Sequence, residues 1–249
     1  MQSNNTRARI LIVLPIYNEE NILKHSVARL HAYCQDALTD FDWTIVIADN
    51  GSMDSTPSIA QRIASEYSEI LYASIPIPGR GGALQHAWSL ADADVYLYMD
   101  CDLATDLRHV RECIEAIMSD AYDIAIGSRL IERSSAERSL LRECCSRLYS
   151  FLPQLFFPSF PIRDCQCGFK AISQTIKKEV LPFVQDRNWF FDTELLIRSF
   201  YAHYRIVELP VSWKDQRFAK RKSKVRLIRT AIGNIIKLLL LKKNPDVRH

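Results

Sequence analysis

Nothing in the 249-residue chain approaches the roughly 18–20 consecutive apolar residues that cross a bilayer. The cleanest run, residues 10–14, has the length of a buried strand. No internal repeat and no low-complexity tract is present, which removes solenoids and biased linkers. Seven glycines, with 48% hydrophobic and 24% charged residues, exclude collagen-like and disordered chains. The opening MQSNNTRAR lacks the apolar core of a signal peptide and predicts a protein that stays in the cytosol. Evenly paired cysteines are also lacking: the seven, at 34, 101, 113, 144, 145, 165 and 167, are odd in number and irregularly spaced. Cys165-Gln-Cys167 misses the two-residue gap of a zinc knuckle, so all seven read as reduced, small apolar side chains.

A chain of this length buries roughly 70–75% of its unfolded surface without metal or disulfide. No segment resembles an interdomain linker, so residues 1–212 read as one domain and 213–249 as a C-terminal extension. The formal net charge of +3 hides an uneven distribution. Lys214, Arg217, Lys220, Arg221, Lys222, Lys224, Arg226 and Arg229 face the single acid Asp215, a local +7 that leaves the remainder at −4. Such a segment implies an anionic partner or a solvated face.

Short β-branched or aromatic runs at 10–14, 43–48, 70–74, 95–99 and 124–126 predict strands. Amphipathic stretches at 19–33, 55–67, 82–91 and 107–119 predict the helices between them. This alternation specifies an α/β fold, a mostly parallel sheet flanked by helices. Beyond it, 137–151 and 189–201 read as helices, 151–161 as an apolar loop broken by prolines, 206–211 as a strand, and 225–241 as an amphipathic C-terminal helix.

In such sheets ligands sit outside the carboxyl ends of the strands, and four successive strand ends here are polar. They carry Pro15-Ile-Tyr17-Asn18-Glu19-Glu20, Asp49-Asn-Gly-Ser-Met-Asp54, Pro78-Gly79-Arg80-Gly81-Gly82 and Asp100-Cys-Asp102. Two carboxylates two residues apart suit one hard divalent cation, Mg²⁺ or Mn²⁺, shared with phosphate oxygens; alone, the same pair also reads as a solvated turn. Asn50-Gly51 favours a turn, and Asp54 or Ser55 can cap a helix near Pro57, which leaves Asp49 free to meet a nucleobase or ribose. Arg80 among glycines lets a guanidinium and backbone amides approach a diphosphate.

Together these strand ends resemble the family 2, GT-A-fold glycosyltransferases, in the family's order. Ile126-Gly-Ser-Arg129, Asp164-Cys-Gln-Cys-Gly-Phe-Lys170, Trp189-Phe-Phe-Asp192-Thr-Glu194 and Glu208-x-Pro-Val-x-Trp213 extend the resemblance to the polyprenyl-phosphate branch, over residues 9–230. It implies an inverting transferase that moves a hexose from a nucleotide sugar, UDP-glucose or GDP-mannose, to a polyprenyl phosphate. It places Pro15, Tyr17, Glu19, Asp49, Gly79, Arg80, Asp100 and Asp102 around the donor, with Asp100 and Asp102 on the metal. It places Arg129, Arg142, Ser146, Arg217 and Lys224 on the acceptor phosphate, with Arg129 also counted as catalytic alongside Asp102. Arg80 stands where the family usually has Lys, and the chain between Arg129 and Arg142 is shorter than in many relatives.

Asp192 stands where relatives with hydroxyl acceptors have a general base. A phosphate acceptor is already ionised at pH 7, so Asp192 reads either as a catalytic group or as one that orients the sugar or an arginine. Asp102-Leu-Ala104-Thr105 resembles the glucosyl rather than the mannosyl relatives. The C-terminal transmembrane helices of many bacterial relatives are not part of the sequence. Instead Ile228, Ala231, Ile232, Ile235, Ile236 and Leu239 line one helical face beside the cations, a pattern that either lies in a membrane interface or packs on the domain. The expected location is peripheral, on the cytoplasmic face of a membrane. A nucleic-acid-binding module would use the basic stretch but leave the acidic strand ends unexplained, so no nucleic-acid partner is expected.

Overall fold

The computed structural model describes residues 7–76, 78–137, 151–214 and 227–243. Residues 138–150 of the expected helix at 137–151, and residues 215–226 of the basic stretch, lie outside them.

Seven strands form one sheet in the order β3-β2-β1-β4-β7-β5-β8: β1 (Arg9–Ile16), β2 (Asp42–Asp49), β3 (Ile70–Ser74), β4 (Val95–Met99), β5 (Ile124–Ser128), β7 (Phe169–Ser173) and β8 (Ile206–Pro210). All run parallel except β7, which is antiparallel to both β4 and β5. A second, two-stranded sheet pairs β6 (Ser135–Glu137) with β9 (Ser212–Lys214). The α/β expectation therefore holds.

The strands are apolar on both faces because helices cover both. Along β1, Ile10, Ile12 and Leu14 join the core under α1 (Leu23–Ala37), α2 (Thr56–Glu66) and α4 (Arg108–Met118). Leu11 and Val13 join the opposite core under α3 (Arg80–Ser89) and α6 (Phe191–Tyr201). The short α5 (Gln174–Glu179) and the C-terminal α7 (Leu227–Lys243) contribute Ile176, Leu238 and Leu241 to this second core. The five described cysteines are buried and unpaired, and burial pushes the Cys34 and Cys167 thiols up to about 12, which makes them inert packing groups.

Three expectations shift. Residues 19–22 form a hydrogen-bonded turn before α1, with Ile22 N–H and Leu23 N–H donating to the Glu19 carbonyl, so the first strand-end motif stays in a loop. Helix α3 starts at Arg80 rather than at Gly82, so the glycine-rich motif is itself the first helical turn. Residues 151–156, expected as loop, are helical. Strand β7 was not expected: Lys170 interrupts its apolar pattern, and only the closeness of an anion makes a cation tolerable there.

For α7 the sequence left open whether the face of Ile235, Ile236 and Leu239 packs on the domain or turns outward. Asn234, Leu238 and Leu241 turn inward, while Ile236, Leu239 and Leu240 are exposed. Helix α7 thus packs on the domain and presents apolar side chains outward at once.

Candidate active site

The parallel strands bring the four polar strand ends to one edge of the sheet, and the reversed β7 starts at that edge with the Gly168 turn beside Met99. The loops after β1 and β2 are stitched together. Ser52 Oγ accepts from Asn18 N–H at 2.9 Å, Asn18 Oδ1 from Met53 N–H at 2.8 Å, and Thr56 Oγ1 from Glu19 N–H at 2.7 Å. Asn18 adopts the left-handed conformation, φ +52°, which asparagine tolerates. Asp49 is buried; its Oδ1 accepts from Ser52 N–H and its Oδ2 from the Tyr72 hydroxyl, both at 2.9 Å. Asp49 therefore builds the shelf on which Pro15, Tyr17 and Glu19 sit half-buried, and its remaining lone pairs stay available to a ligand. Gly79 N–H donates to Asn50 Oδ1 and ties this shelf to α3.

Arg80 is the centre of the site. It is 7% exposed, and its fork spans two carboxylates, Nη1 donating to Asp192 Oδ2 at 2.6 Å and Nη2 to Asp100 Oδ1 at 2.9 Å. Its guanidinium lies 5.1 Å from the Tyr98 ring centroid and 5.3 Å from that of Trp189. Helix α3 can approach α6 this closely because Gly81 has no side chain; a Cβ there would stand 2.6 Å from Phe191 Cβ. Asp192 is 2% exposed, and its Oδ1 accepts from the Tyr98 hydroxyl and lies 3.3 Å from Lys170 Nζ. Burial alone would raise this carboxyl, but the Lys170 charge, then Arg80 and the Tyr98 hydroxyl, hold it below the usual carboxylate value. Three donors already engage its oxygens, and the two cations among them lower its affinity for a proton, which leaves it a poor base toward a substrate.

Asp100 is half-exposed, with Oδ1 on Arg80 and its backbone N–H on the Gly168 carbonyl at 2.9 Å. A Cβ on Gly168 would overlap the Asp100 carboxylate, so this glycine makes room for it. Asp102 Oδ1 accepts from Ala104 N–H at 3.2 Å. Among the described residues no cluster of three or more potential ligands forms. Two hard carboxylates at an open strand end fit Mg²⁺ or Mn²⁺ only if other oxygens, such as those of a diphosphate, complete the shell.

Arg129 follows β5 and grips the buried Asp164 side-on, Nε to Oδ2 at 2.7 Å and Nη2 to Oδ1 at 2.8 Å, with its backbone N–H also on Oδ2 at 3.0 Å. Glu208 Oε1 accepts from Asp164 N–H at 3.0 Å and fixes that loop. The Trp213 ring lies 5.7 Å from the Arg129 guanidinium, and Trp213 also lines a shallow cleft with Asp100, Thr105 and Gly168. Arg129 thus reaches the cleft only through its contact with Trp213. Arg142, Ser146, Arg217 and Lys224 lie outside the described residues.

Sequence reasoning gave no role to Tyr98, Lys170, Gly168 or Trp189. Gly168, Lys170 and Trp189 stand in motifs quoted above without a role of their own, and a charge inside an apolar strand was a further signal for Lys170; nothing in the chain order announces Tyr98.

A family model for glycosyl transferase family 2 matches residues 11–181. The glycosyltransferase AglD of Haloferax volcanii is 39% identical over 225 residues, which are 90% of this chain and 35% of that protein. A dolichyl-phosphate beta-glucosyltransferase of Saccharomyces cerevisiae is 28% identical over 82% of this chain and 66% of its own length. The chain therefore spans about a third of the first relative and just under two thirds of the second. Among solved structures, glucosyl-3-phosphoglycerate synthase from Mycobacterium tuberculosis, in complex with Mn²⁺, UDP-glucose and phosphoglyceric acid, superposes with a TM-score of 0.69 at 17% identity, covering 94% of this chain and 79% of that one. At that identity the likeness is one of fold.

Proposed function

The chain belongs to glycosyl transferase family 2, and from that premise we propose that it moves a hexose, glucose in preference to mannose, from a nucleotide sugar to a polyprenyl phosphate with inversion at the anomeric carbon. The observation that carries this reading is the Arg80 fork between Asp100 and Asp192, a fixed cation beside a pair of metal-competent carboxylates. The shelf of Pro15, Tyr17, Glu19 and Asp49 takes the base and ribose, and Gly79 and Arg80 take the diphosphate at the first turn of α3. A helix N-terminus and a guanidinium together stabilise the charge that builds on the departing nucleoside diphosphate.

Asp100 and Asp102 would hold Mg²⁺ or Mn²⁺, which supplies further charge neutralisation to that leaving group. The yeast relative, a dolichyl-phosphate beta-glucosyltransferase, supports both the acceptor class and the glucosyl preference. Arg129 holds the acceptor phosphate opposite the donor, with Arg142, Ser146, Arg217 and Lys224 as further candidate contacts. The ion-paired carboxylate of Asp192 favours a phosphate acceptor, because a sugar hydroxyl would need a base and Asp192 is already committed to orienting Arg80.

Among the described residues no helix is long and apolar enough to cross a membrane. The outward Ile236, Leu239 and Leu240, with Lys242 and Lys243 at the end of α7, suit a membrane interface instead. A peripheral position on the cytoplasmic face follows from this reading.

Incubation of purified protein and Mg²⁺ or Mn²⁺ with polyprenyl phosphate and labelled UDP-glucose, GDP-mannose or UDP-GlcNAc, run side by side, tests the donor. Label is expected in the organic phase, most from UDP-glucose. No extractable label from any of the three would overturn the lipid-acceptor reading.

A further inference from the structure

Lys170 is fully buried in the middle of β7, between β4 and β5, in register with Tyr98 on one side and Ile126 on the other. A lysine is almost never fully buried without compensation, and an apolar residue would serve the sheet as well. Its three donor positions meet three acceptors: the Cys167 carbonyl at 2.5 Å, the Tyr98 hydroxyl at 3.0 Å and, as an ion pair, Asp192 Oδ1 at 3.3 Å. Two of these lead to the two ends of the Arg80 fork. Asp192 holds Nη1 directly, while Cys167 precedes Gly168, whose carbonyl takes the Asp100 N–H and whose bare Cα gives the Asp100 carboxylate its place against Nη2.

We infer that Lys170 is a positioning residue of the donor site: one ammonium aims the Asp192 carboxylate at Arg80 and pins the turn on which Asp100 rests. It touches no substrate. It works by fixing both anchors of the arginine that does, and so rests on the donor reading proposed above. The groups facing Asp192 are Arg80 from α3, Tyr98 from β4 and Lys170 from β7, with Asp100 beyond the guanidinium. The thiols of Cys165 and Cys167 near the ammonium are pushed up by burial and stay neutral.

The test is the pH dependence of nucleotide binding. UDP and GDP, each with Mg²⁺, are titrated into wild type and Lys170→Met from pH 8 to pH 5.5. Wild type is expected to follow only the ionisation of the nucleotide itself. Lys170→Met is expected to bind at least fivefold more weakly at pH 8 and to lose affinity further toward pH 5.5, because Asp192 then protonates and lets go of Arg80. Adding Asp192→Asn to Lys170→Met should remove the extra acid limb, and Lys170→Arg should restore part of the affinity. A purely structural lysine would lower the melting temperature and leave the shape of the profile unchanged.

A folded Lys170→Met with the wild-type profile overturns the inference. If that variant does not fold, Tyr98→Phe, which removes only the hydroxyl on Asp192, must show a smaller limb of the same direction, and an unchanged profile overturns the inference equally. Should wild type bind neither nucleotide, the donor reading fails and this role fails with it. Wild-type binding with unaltered variants would sink the role of Lys170 alone.

Discussion

Arg80 Nη1 lies 2.6 Å from Asp192 Oδ2, a buried ion pair joining the first turn of α3 to the first turn of α6. The second amino group of the same guanidinium reaches Asp100. Only a planar fork can do both, so Arg80→Lys keeps the charge and loses one end. Losing a charged hydrogen bond of about 1.5–3 kcal/mol predicts a fall of about tenfold to a hundredfold in kcat/KM for the donor. Steady-state kinetics with the donor varied measure this, and a loss under threefold would show that the fork is not needed.

Asp102→Ala removes one of the two carboxylates proposed to hold the metal. Transfer is expected to be abolished, and Mn²⁺ binding in the presence of nucleoside diphosphate, read by electron paramagnetic resonance, should weaken strongly. Retained turnover at wild-type Mn²⁺ affinity would remove Asp102 from the site.

Gly168→Ala places a methyl group where the Asp100 carboxylate lies. Because that carboxylate is half-exposed and can swing outward by giving up Arg80, the melting temperature should change by only a few degrees while kcat falls at least tenfold. A large drop in melting temperature with little loss of kcat would place the strain in the fold instead.

The pair Arg129 and Asp164 is expected to be insensitive to pH between 7 and 5 with its cation and sensitive to it without. Burial raises the Asp164 carboxyl, but Arg129 outweighs it, so the folded value lies below the unfolded one of about 3.9. Its stabilisation is therefore present above that pH and is lost as pH falls through the folded value. In Arg129→Met only the backbone N–H of residue 129 and the Lys170 charge still oppose burial, so the folded value is expected to rise above the unfolded one and stability to increase as pH falls from 7 toward 5. The variant should also be about 3–5 kcal/mol less stable at pH 7, since it leaves a buried carboxylate unpaired. Denaturant unfolding at pH 7, 6 and 5 reads both the size and the sign; parallel slopes in the two proteins would contradict this assignment.

The outward face of α7 predicts lipid binding. Ile236→Glu with Leu239→Glu should abolish flotation with vesicles containing anionic lipid and leave UDP affinity unchanged. Unaltered flotation would exclude this face from the membrane contact.

Strand-end chemistry was readable because each motif is contiguous: Pro15 to Glu20, Asp49 to Asp54 and Asp100 to Asp102 follow apolar runs whose period announces strands. The Arg80, Tyr98, Lys170 and Asp192 cluster was not, because it draws one residue from each of four elements and only the reversed β7 brings Lys170 to Tyr98. The orientation of α7 stayed open in the sequence for a related reason. Its sequence is apolar on more than one face, and periodicity alone cannot choose between the face of Leu238 and Leu241 and that of Ile236 and Leu239.

The most direct measurement of the central claim offers labelled UDP-glucose, Mg²⁺ and purified protein either polyprenyl phosphate or the free polyprenol of the same chain length. The account predicts lipid-extractable label with the phosphate, in β linkage by nuclear magnetic resonance, and none with the alcohol. Label on the alcohol, or an α-linked product, would contradict it.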